Sequence, residues 1–533
     1  MKIGIDFGTC FSFISTIIGN NIRTALIEDD YKETGVPTLF YHDGQNTCCG
    51  KPAMINGLKK PEYFVSAIKR DLKANPGRAN VNTSYTYKNT GYTGEQIVET
   101  YITFLIEMAK SHALEQGLSI GKTVDEVVIT APDGYDVHGK NKTEGIVAYR
   151  ELLRRVTKKV TKLPDNKISI IGEPEAAAMY YFHKHPSNKK ETVLVYDLGG
   201  GTFDAAIVEC DPLANKKYVV LATGGDTKVG GIDWDNCLKK IVKNKTKFPS
   251  IVGEDGTDVP DESNQRIKYE REITHAKILL SSEEEATVGF KARGQSYAYT
   301  VTREEFEKAS ADLLEKTIDV IKTSTLPNYE KVKGYSKGTG IDHIDRIILV
   351  GGASQMPQVK KRLVAEFGRK IKPDNIVSES PQLAIACGAV LYNETNAVMR
   401  TNYTYGIKIL KEGFKVTDND PYLISNILKK GEIFVGPYVE QHRDKYKPVN
   451  DQQEIILVET YISDSSEDEI PLSEGKKVNQ FEMKIKIPSG QNIKPTQMLY
   501  DYTFKVTRDN VIEITARDQF GNIAAVHKYT GDV

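Results

Sequence analysis

"YDLGGGTFDAA", residues 196–206, decides how the rest of the chain is read. An aspartate ends an apolar run, three glycines follow, then a threonine and a second aspartate. Three consecutive glycines are costly beside a strand, because glycine loses more backbone freedom on folding than other residues. Such a turn implies something that must approach the main chain closely. The same plan stands near the start of the chain. "IGIDFGTCFSFISTIIGN" (3–20) and "LVYDLGGGTFDAAIVECD" (194–211) each give an apolar strand, Asp-x-Gly, a small-residue turn with threonine, and a second apolar strand. Asp6 and Asp197 hold equivalent places. β-Branched and aromatic residues around a glycine turn read as β-hairpins. Two such units in one chain imply a domain with two related lobes.

Composition narrows the class. The 533 residues exceed what one core serves, and the length prior is roughly three to four domains. Lys and Arg number 71 against 72 Asp and Glu, so no global field recruits nucleic acid or an anionic membrane. The opening "MKIGIDFGTC" has no apolar leader core, and no eighteen-residue apolar run follows. Six scattered cysteines without a CxxC fit a reducing, cytoplasmic setting, with Cys48 and Cys49 read as part of a loop. The nine histidines show no metal-ligand spacing.

Between the hairpins, helix signals alternate with strands, the pattern of sheets covered by helices. Residues 94–116 place Ile97, Val98, Tyr101, Leu105, Met108 and Ala109 on one helical face. Thr302 and Glu305 have capping-box spacing ahead of Phe306, Leu313, Leu314 and Ile318. "DRIILVGGASQMPQVKKRLVAEFG" (345–368) reads as strand, glycine turn and helix, with Pro357 in the first turn. From Thr404 onward the texture is strict alternation. Tyr405, Ile407 and Ile409 share a face, as do Phe481, Met483, Ile485 and Ile487, and a hairpin closes at Arg508-Asp509-Asn510 before a Gly521-Asn522 turn. The acidic tract 463–469 reads as a solvated loop.

Glycine turns can point several N–H groups at one anion, and Thr9 and Thr202 add hydroxyl donors. Asp6, Asp197 and Asp204 would repel a bare phosphate. Carboxylates beside a phosphate cradle therefore imply Mg²⁺, held through its water shell because magnesium dehydrates reluctantly.

Five segments in order, "IGIDFGTCFS", "GEPEAAAMYY" (172–181), "YDLGGGTFD", "GGDTKVGGIDWDN" (224–236) and "RIILVGGASQMP" (346–357), resemble the motif set of DnaK-type seventy-kilodalton heat-shock chaperones, within the actin and sugar-kinase superfamily. The resemblance implies an α/β, actin-like, two-lobed nucleotide-binding domain with ribonuclease H-like halves over 1–392, a linker over 393–403, and an all-β sandwich over 404–533 without the helical lid of longer relatives. It implies ATP or ADP with Mg²⁺ as ligands. Asp6, Gly8, Thr9, Cys10 and Phe11 in one lobe, and Asp197, Gly199, Gly200, Gly201 and Thr202 in the other, would clamp phosphates. Asp6 and Asp197 would hold the metal through water. Glu173, Asp197, Asp204 and Thr202 would organise the attacking water. Gly230, Gly231, Gly351, Gly352, Ala353, Gln355, Lys277 and Ser281 would face the nucleotide from the second lobe.

Departures accompany the resemblance. The frame set by Pro61, Val65 and Lys69-Arg70 puts Met54 where the family carries its catalytic lysine, with Lys51 nearby. Losing such a donor costs about 10²–10³ in rate. Thr274, Ile278, Ala353 and Gln355 alter the base pocket. The connector also lacks the family's leucine-rich acidic linker, which implies weak coupling. The expected function is therefore a slow ATPase chaperone homologue that binds extended client peptides, with a co-chaperone or exchange factor as further partner. A nucleotide-sensing pseudo-ATPase scaffold and a small-molecule kinase remain as alternatives. Apolar residues of 421–439 divide between a peptide-binding rim and plain β-core.

Overall fold

A computed structural model describes residues 1–18, 21–25, 35–72, 89–115, 123–132, 142–211, 218–226, 228–253, 256–392, 399–400, 404–430, 433–434, 438–463, 465–507 and 511–530. The expected linker (393–403), except Met399–Arg400, and the Arg508-Asp509-Asn510 turn lie outside these residues, as does part of 421–439. The chain divides into two compact units, Met1–Ala214 with Val220–Tyr392, and Asn215–Val219 with Asn393–Val533.

Two mixed sheets organise the first unit. One contains β1 (Lys2–Asp6), β2 (Phe11–Ile18), β3 (Asn21–Ala25), β4 (Glu126–Ala131) and β5 (Ile168–Gly172), in the order β3-β2-β1-β4-β5. The other contains β6 (Glu191–Leu198), β7 (Phe203–Cys210), β8 (Tyr218–Asp226), β9 (Arg346–Val350) and β10 (Ile376–Ser378), in the order β8-β7-β6-β9-β10. The order is the same in both. In each, the first two strands form an antiparallel hairpin, and the first strand also pairs in parallel with the fourth. Both hairpins expected from sequence are present, with Asp6 opposite Phe13 and Asp197 opposite Asp204.

Helices cover the sheets: α1 (Gly50–Lys59), α2 (Ile68–Asp71), α3 (Gly94–Glu115), α4 (Lys142–Thr161), α5 (Glu173–Lys184), α6 (Gly231–Thr246), α7 (Ser263–Leu279), α8 (Arg303–Ala309), α9 (Ala311–Val320), α10 (Leu326–Lys333), α11 (Pro357–Phe367) and α12 (Ala384–Leu391). On α3, Ile97, Val98, Tyr101, Leu105 and Ala109 are buried as the 3.6-residue period requires, joining Ile3, Ile5 and Ile129 of the sheet in one core. The Thr302 capping box forms reciprocally, Glu305 N–H donating to Thr302 Oγ1 at 3.2 Å and Thr302 N–H to Glu305 Oε2 at 3.2 Å. The helix it starts breaks at Ser310, whose hydroxyl donates back to the Phe306 carbonyl at 2.8 Å. Back-bonding of this kind competes with the helical ladder. Cys48 and Cys49 lie in a short strand, Thr47–Cys49, rather than a loop, and burial pushes the Cys49 thiol up to about 12. No disulfide forms among the six cysteines. No helix among the described residues is long and apolar enough to cross a membrane.

Among the described residues the second unit carries two large antiparallel sheets and a two-stranded one, Met399–Arg400 with Ile433–Phe434. The strands of the large sheets are β11 (Thr404–Leu410), β12 (Tyr422–Leu428), β13 (Tyr438–Tyr446), β14 (Ile455–Ser463), β15 (Glu469–Pro471), β16 (Lys476–Lys484), β17 (Tyr500–Thr507), β18 (Val511–Asp518) and β19 (Ile523–Thr530), ordered β15-β12-β11-β14-β16 and β13-β17-β18-β19. Tyr405, Ile407, Leu428, Val458 and Met483 of the first sheet share one core with Tyr500, Phe504, Ile512 and Ile514 of the second. Strand β16 ends at Lys484, so the expected alternation stops short and Ile487 is exposed. Within 421–439, Ile424, Ile427 and Leu428 are buried core. Ser466, Glu467 and Asp468 of the acidic tract are exposed, as expected of a solvated loop, and the tract is also anchored. Thr404 Oγ1 donates to the Ser465 carbonyl at 2.5 Å, and Lys429 Nζ meets Asp468 at 2.7 Å.

Candidate nucleotide site

The two hairpin turns meet. A Cβ built on Gly201 would lie 2.6 Å from Thr9 Oγ1, and one on Gly200 would lie 2.6 Å from Cys10 Sγ. Part of what excludes side chains from the triple-glycine turn is therefore the opposite turn itself, a cause the sequence reading had placed wholly in a visiting phosphate. Gly230 closes against Gly201 from the next loop, where a Cβ would sit 2.4 Å from the Gly201 carbonyl carbon. Backbone bonds fasten this loop to the turn, Gly231 N–H donating to Gly199 O at 2.9 Å and Ile232 N–H to Gly200 O at 2.8 Å. From the end of β9, Gly351 crosses over Asp197 with φ +79°. That conformation favours glycine, and a Cβ there would lie 2.7 Å from Asp197 Oδ1.

Under these turns lies a buried acidic cluster. Asp6 ends β1, Asp197 and Asp204 face each other across β6 and β7, and Glu173 opens α5 directly after β5. A carboxylate in a helix's first turn is favoured by the macrodipole. All four are buried. Lys69 is buried with them, its ammonium 2.5 Å from Glu173 Oε1. It arrives on the short helix α2, entered through Ala67 in the left-handed region at φ 53°. A non-glycine residue there costs roughly 1–2 kcal/mol, and such strain is characteristic of positions where a side chain is being aimed.

The protonation states follow from this crowding. Burial, then Glu173, push Asp6 up to about 7, while Lys69 pulls the other way. Burial, then Glu173, Asp204 and Asp6, hold Asp197 well above the usual carboxylate range. Burial works against the Lys69 ammonium, yet Glu173, Asp6 and Asp204 together raise it above its ordinary value. The Tyr149 hydroxyl on α4 is likewise raised, by burial and then by Glu173 and Asp6. One ammonium among four carboxylates leaves the site short of positive charge, and protons fill the deficit. This donor set fits a divalent cation. Among the described residues no three acidic, histidine or cysteine side chains converge tightly enough to ligate a metal directly.

Lys69 corrects the sequence reading, which assigned the family's lysine position to Met54. Met54 sits on α1, partly exposed, while the lysine of the "AIKRDL" segment (67–72) occupies the cluster. In sequence the segment offers a lysine directly after Ile68, among Phe64, Val65 and Leu72, but nothing local says which way that lysine turns.

The remaining candidates spread along the second lobe. Lys277 Nζ is 2.9 Å from Asp235 Oδ1 and donates to Gly231 O at 2.9 Å, so it braces the start of α6 beside Gly231. Asp235 also accepts from Thr274 Oγ1 at 3.0 Å. This pairing was not read from sequence, although Asp235 stands in a quoted motif. Ala353 lies 3.5 Å from the Gly231 Cβ position. Gly352 and Gln355 are exposed on the turn before α11, and Ser281 follows the end of α7; none of the three hydrogen-bonds to the acidic cluster among the described residues. In the first lobe, Gly8 permits a tight turn in which its Cβ would meet Phe11 O at 2.0 Å, and Cys10 O accepts from Thr38 N–H at 2.8 Å.

Comparison with known proteins gives the family. The family described as Hsp70 protein matches residues 2–410, and the chain belongs to that family. Its relatives include the chaperone protein DnaK of Mycoplasmopsis agalactiae, 30% identical over 419 residues, covering 75% of this chain and 60% of that protein. The chaperone protein DnaK of Halobacterium salinarum is 27% identical over 410 residues, covering 75% and 58%. The chaperone protein HscA of Buchnera aphidicola is 26% identical over 401 residues, covering 73% and 70%. The match with these two DnaK proteins thus spans only 58–60% of their length.

Proposed function

We propose that this chain is an ATP-dependent chaperone of the Hsp70 type. Residues 1–392 act as an actin-like nucleotide-binding domain with ribonuclease H-like halves. Residues 393–403 connect it to a β-sandwich, 404–533, that takes extended peptide segments of client proteins. The observation that carries the reading is the Lys69–Glu173 pair, set among Asp6, Asp197 and Asp204 where two matched hairpin turns meet.

In this reading Thr9, Thr202 and the Gly200–Gly201 turn donate to phosphate oxygens, as oriented backbone amides do. Asp6 and Asp197 would hold Mg²⁺ through its water shell, and the metal would supply positive charge to the polyphosphate when bound. Lys69, already fixed by its buried partner, stabilises charge that develops on the transferred phosphoryl group. Glu173 and Asp204 orient the attacking water. Gly230, Gly231, Gly351, Gly352 and Ala353 line the nucleoside side, with Lys277 and Ser281 behind them. Lys69 in the cluster removes the support that Met54 lent to a scaffold without hydrolysis.

The test is phosphate release from Mg-ATP by the whole chain, compared with Asp197→Asn. Slow turnover that falls at least tenfold in the variant is expected. Equal turnover in both proteins, or radiolabel appearing on a sugar or other small acceptor, would overturn the reading.

A further inference from the structure

We infer that a cationic cavity at the far end of α5 is a second binding site, for a small anion carrying two or three phosphate groups. Arg23 of β3, His112 in the last turn of α3, and His183 and Lys184 in the last turn of α5 line a cavity of about 430 Å³. Tyr180 and Cys387 are also part of its wall. No carboxylate among the described residues lines it, and none of the four basic side chains makes an ion pair among those residues.

Arg23 and Lys184 bring like charges to one concavity, where they repel. An anion relieves that repulsion. Basic side chains in a helix's last turn have an ordinary use in meeting the negative end of the dipole, and that use covers Lys184, beside His183 and His112. It does not cover Arg23, which comes from a strand position opposite Thr16 of β2. Three elements fix the wall, because Cys387 Sγ on α12 lies 3.6 Å from Ser15 Oγ of β2 and 3.5 Å from Thr24 Oγ1 of β3. The volume falls within the range of small-molecule sites, about 300–1,000 Å³. A guanidinium fork and an ammonium point charge are the two side chains that most often hold phosphate.

The cavity is distinct from the glycine turns. Helix α5 has 12 residues with Glu173 at its start, so its two ends stand about 18 Å apart. The inference is therefore independent of the reading of the glycine turns and can fail without it.

Calorimetric titration with tripolyphosphate, without magnesium, tests it on the whole chain. Arg23 and Lys184 are both exposed, so the double variant Arg23→Gln/Lys184→Gln should fold. Binding is expected in the unaltered protein and at least tenfold weaker in that variant, and the ring resonances of His112 and His183 should move during the titration. If ADP moves those resonances at lower concentration than tripolyphosphate, the ligand class is a nucleotide; the reverse order assigns free oligophosphate. Absence of binding would overturn the proposal. So would binding that the double variant leaves intact while both rings stay silent, since the anion would then sit elsewhere.

Discussion

Replacing Lys69 with methionine separates structural from chemical effects at the site. The ammonium and the Glu173 carboxylate stand 2.5 Å apart with both side chains almost wholly buried. At an effective dielectric of 20 the pair attraction is about 7 kcal/mol, most of it offset by desolvation. Truncating one member leaves the other buried and uncompensated, which costs about 3–5 kcal/mol. Lys69→Met should therefore lower unfolding stability by about 3 kcal/mol without magnesium, with Asp6 pushed above about 7 because its one favourable neighbour is gone. Removing a preorganised donor from a phosphoryl-transfer site costs about 10²–10³ in rate. Single-turnover hydrolysis of Mg-ATP should fall by that factor at a temperature where the variant is folded, while calorimetric nucleotide binding persists. Turnover within threefold of the unaltered protein would refute the assignment, whatever the stability change.

Met54→Lys should leave turnover within twofold, because the cluster already contains its lysine; a tenfold gain would show that α1 faces the reacting phosphate after all. Without magnesium the protein should lose stability as pH rises from about 4 to about 7. Asp6 is held near 7 in the folded state against 3.8 unfolded, so the fold binds its proton more tightly. That advantage is complete below the unfolded value and is lost on passing the folded one, on the order of 4 kcal/mol in all. Urea unfolding across this range checks it, and a flat profile would contradict the burial of Asp6. Gly388→Ala on α12 would drive a methyl to within 1.7 Å of the Ala176 carbonyl on α5. A melt should show a loss of about 1–3 kcal/mol or more, and an unchanged midpoint would mean that the two helices are not in contact.

The hairpins were legible because their information is local: Asp-x-Gly, a small turn and flanking apolar strands specify the bend with no distant partner. The same holds for the Thr302 capping box and the face of α3. Lys69 was not legible in this way. Its role depends on Glu173, more than a hundred residues away, and nothing within residues 50–72 distinguishes a lysine that turns inward from one that turns to water. The closeness of the two turns was equally hidden, since contact of Gly201 with Thr9 belongs to the assembly of two sheets. Lys277 shows the converse. Its place facing the nucleotide follows from the resemblance, but its ties to Gly231 and Asp235 come from the packing of α6 on α7. At β16 the alternation ran on in sequence past Lys484, where β14 begins at Ile455 and the pairing ends with one further bond, Ile485 N–H to the Glu454 carbonyl at 2.8 Å.

The most direct measurement is calorimetric titration of the whole chain with ATP, with and without Mg²⁺, alongside Asp197→Asn. The account predicts binding that tightens at least tenfold with magnesium in the unaltered protein, and loses most of that dependence once the buried carboxylate is neutralised. Equal affinity with and without the metal, or a magnesium effect untouched by the substitution, would contradict the claim that the paired turns and their acidic cluster hold a metal-bound polyphosphate.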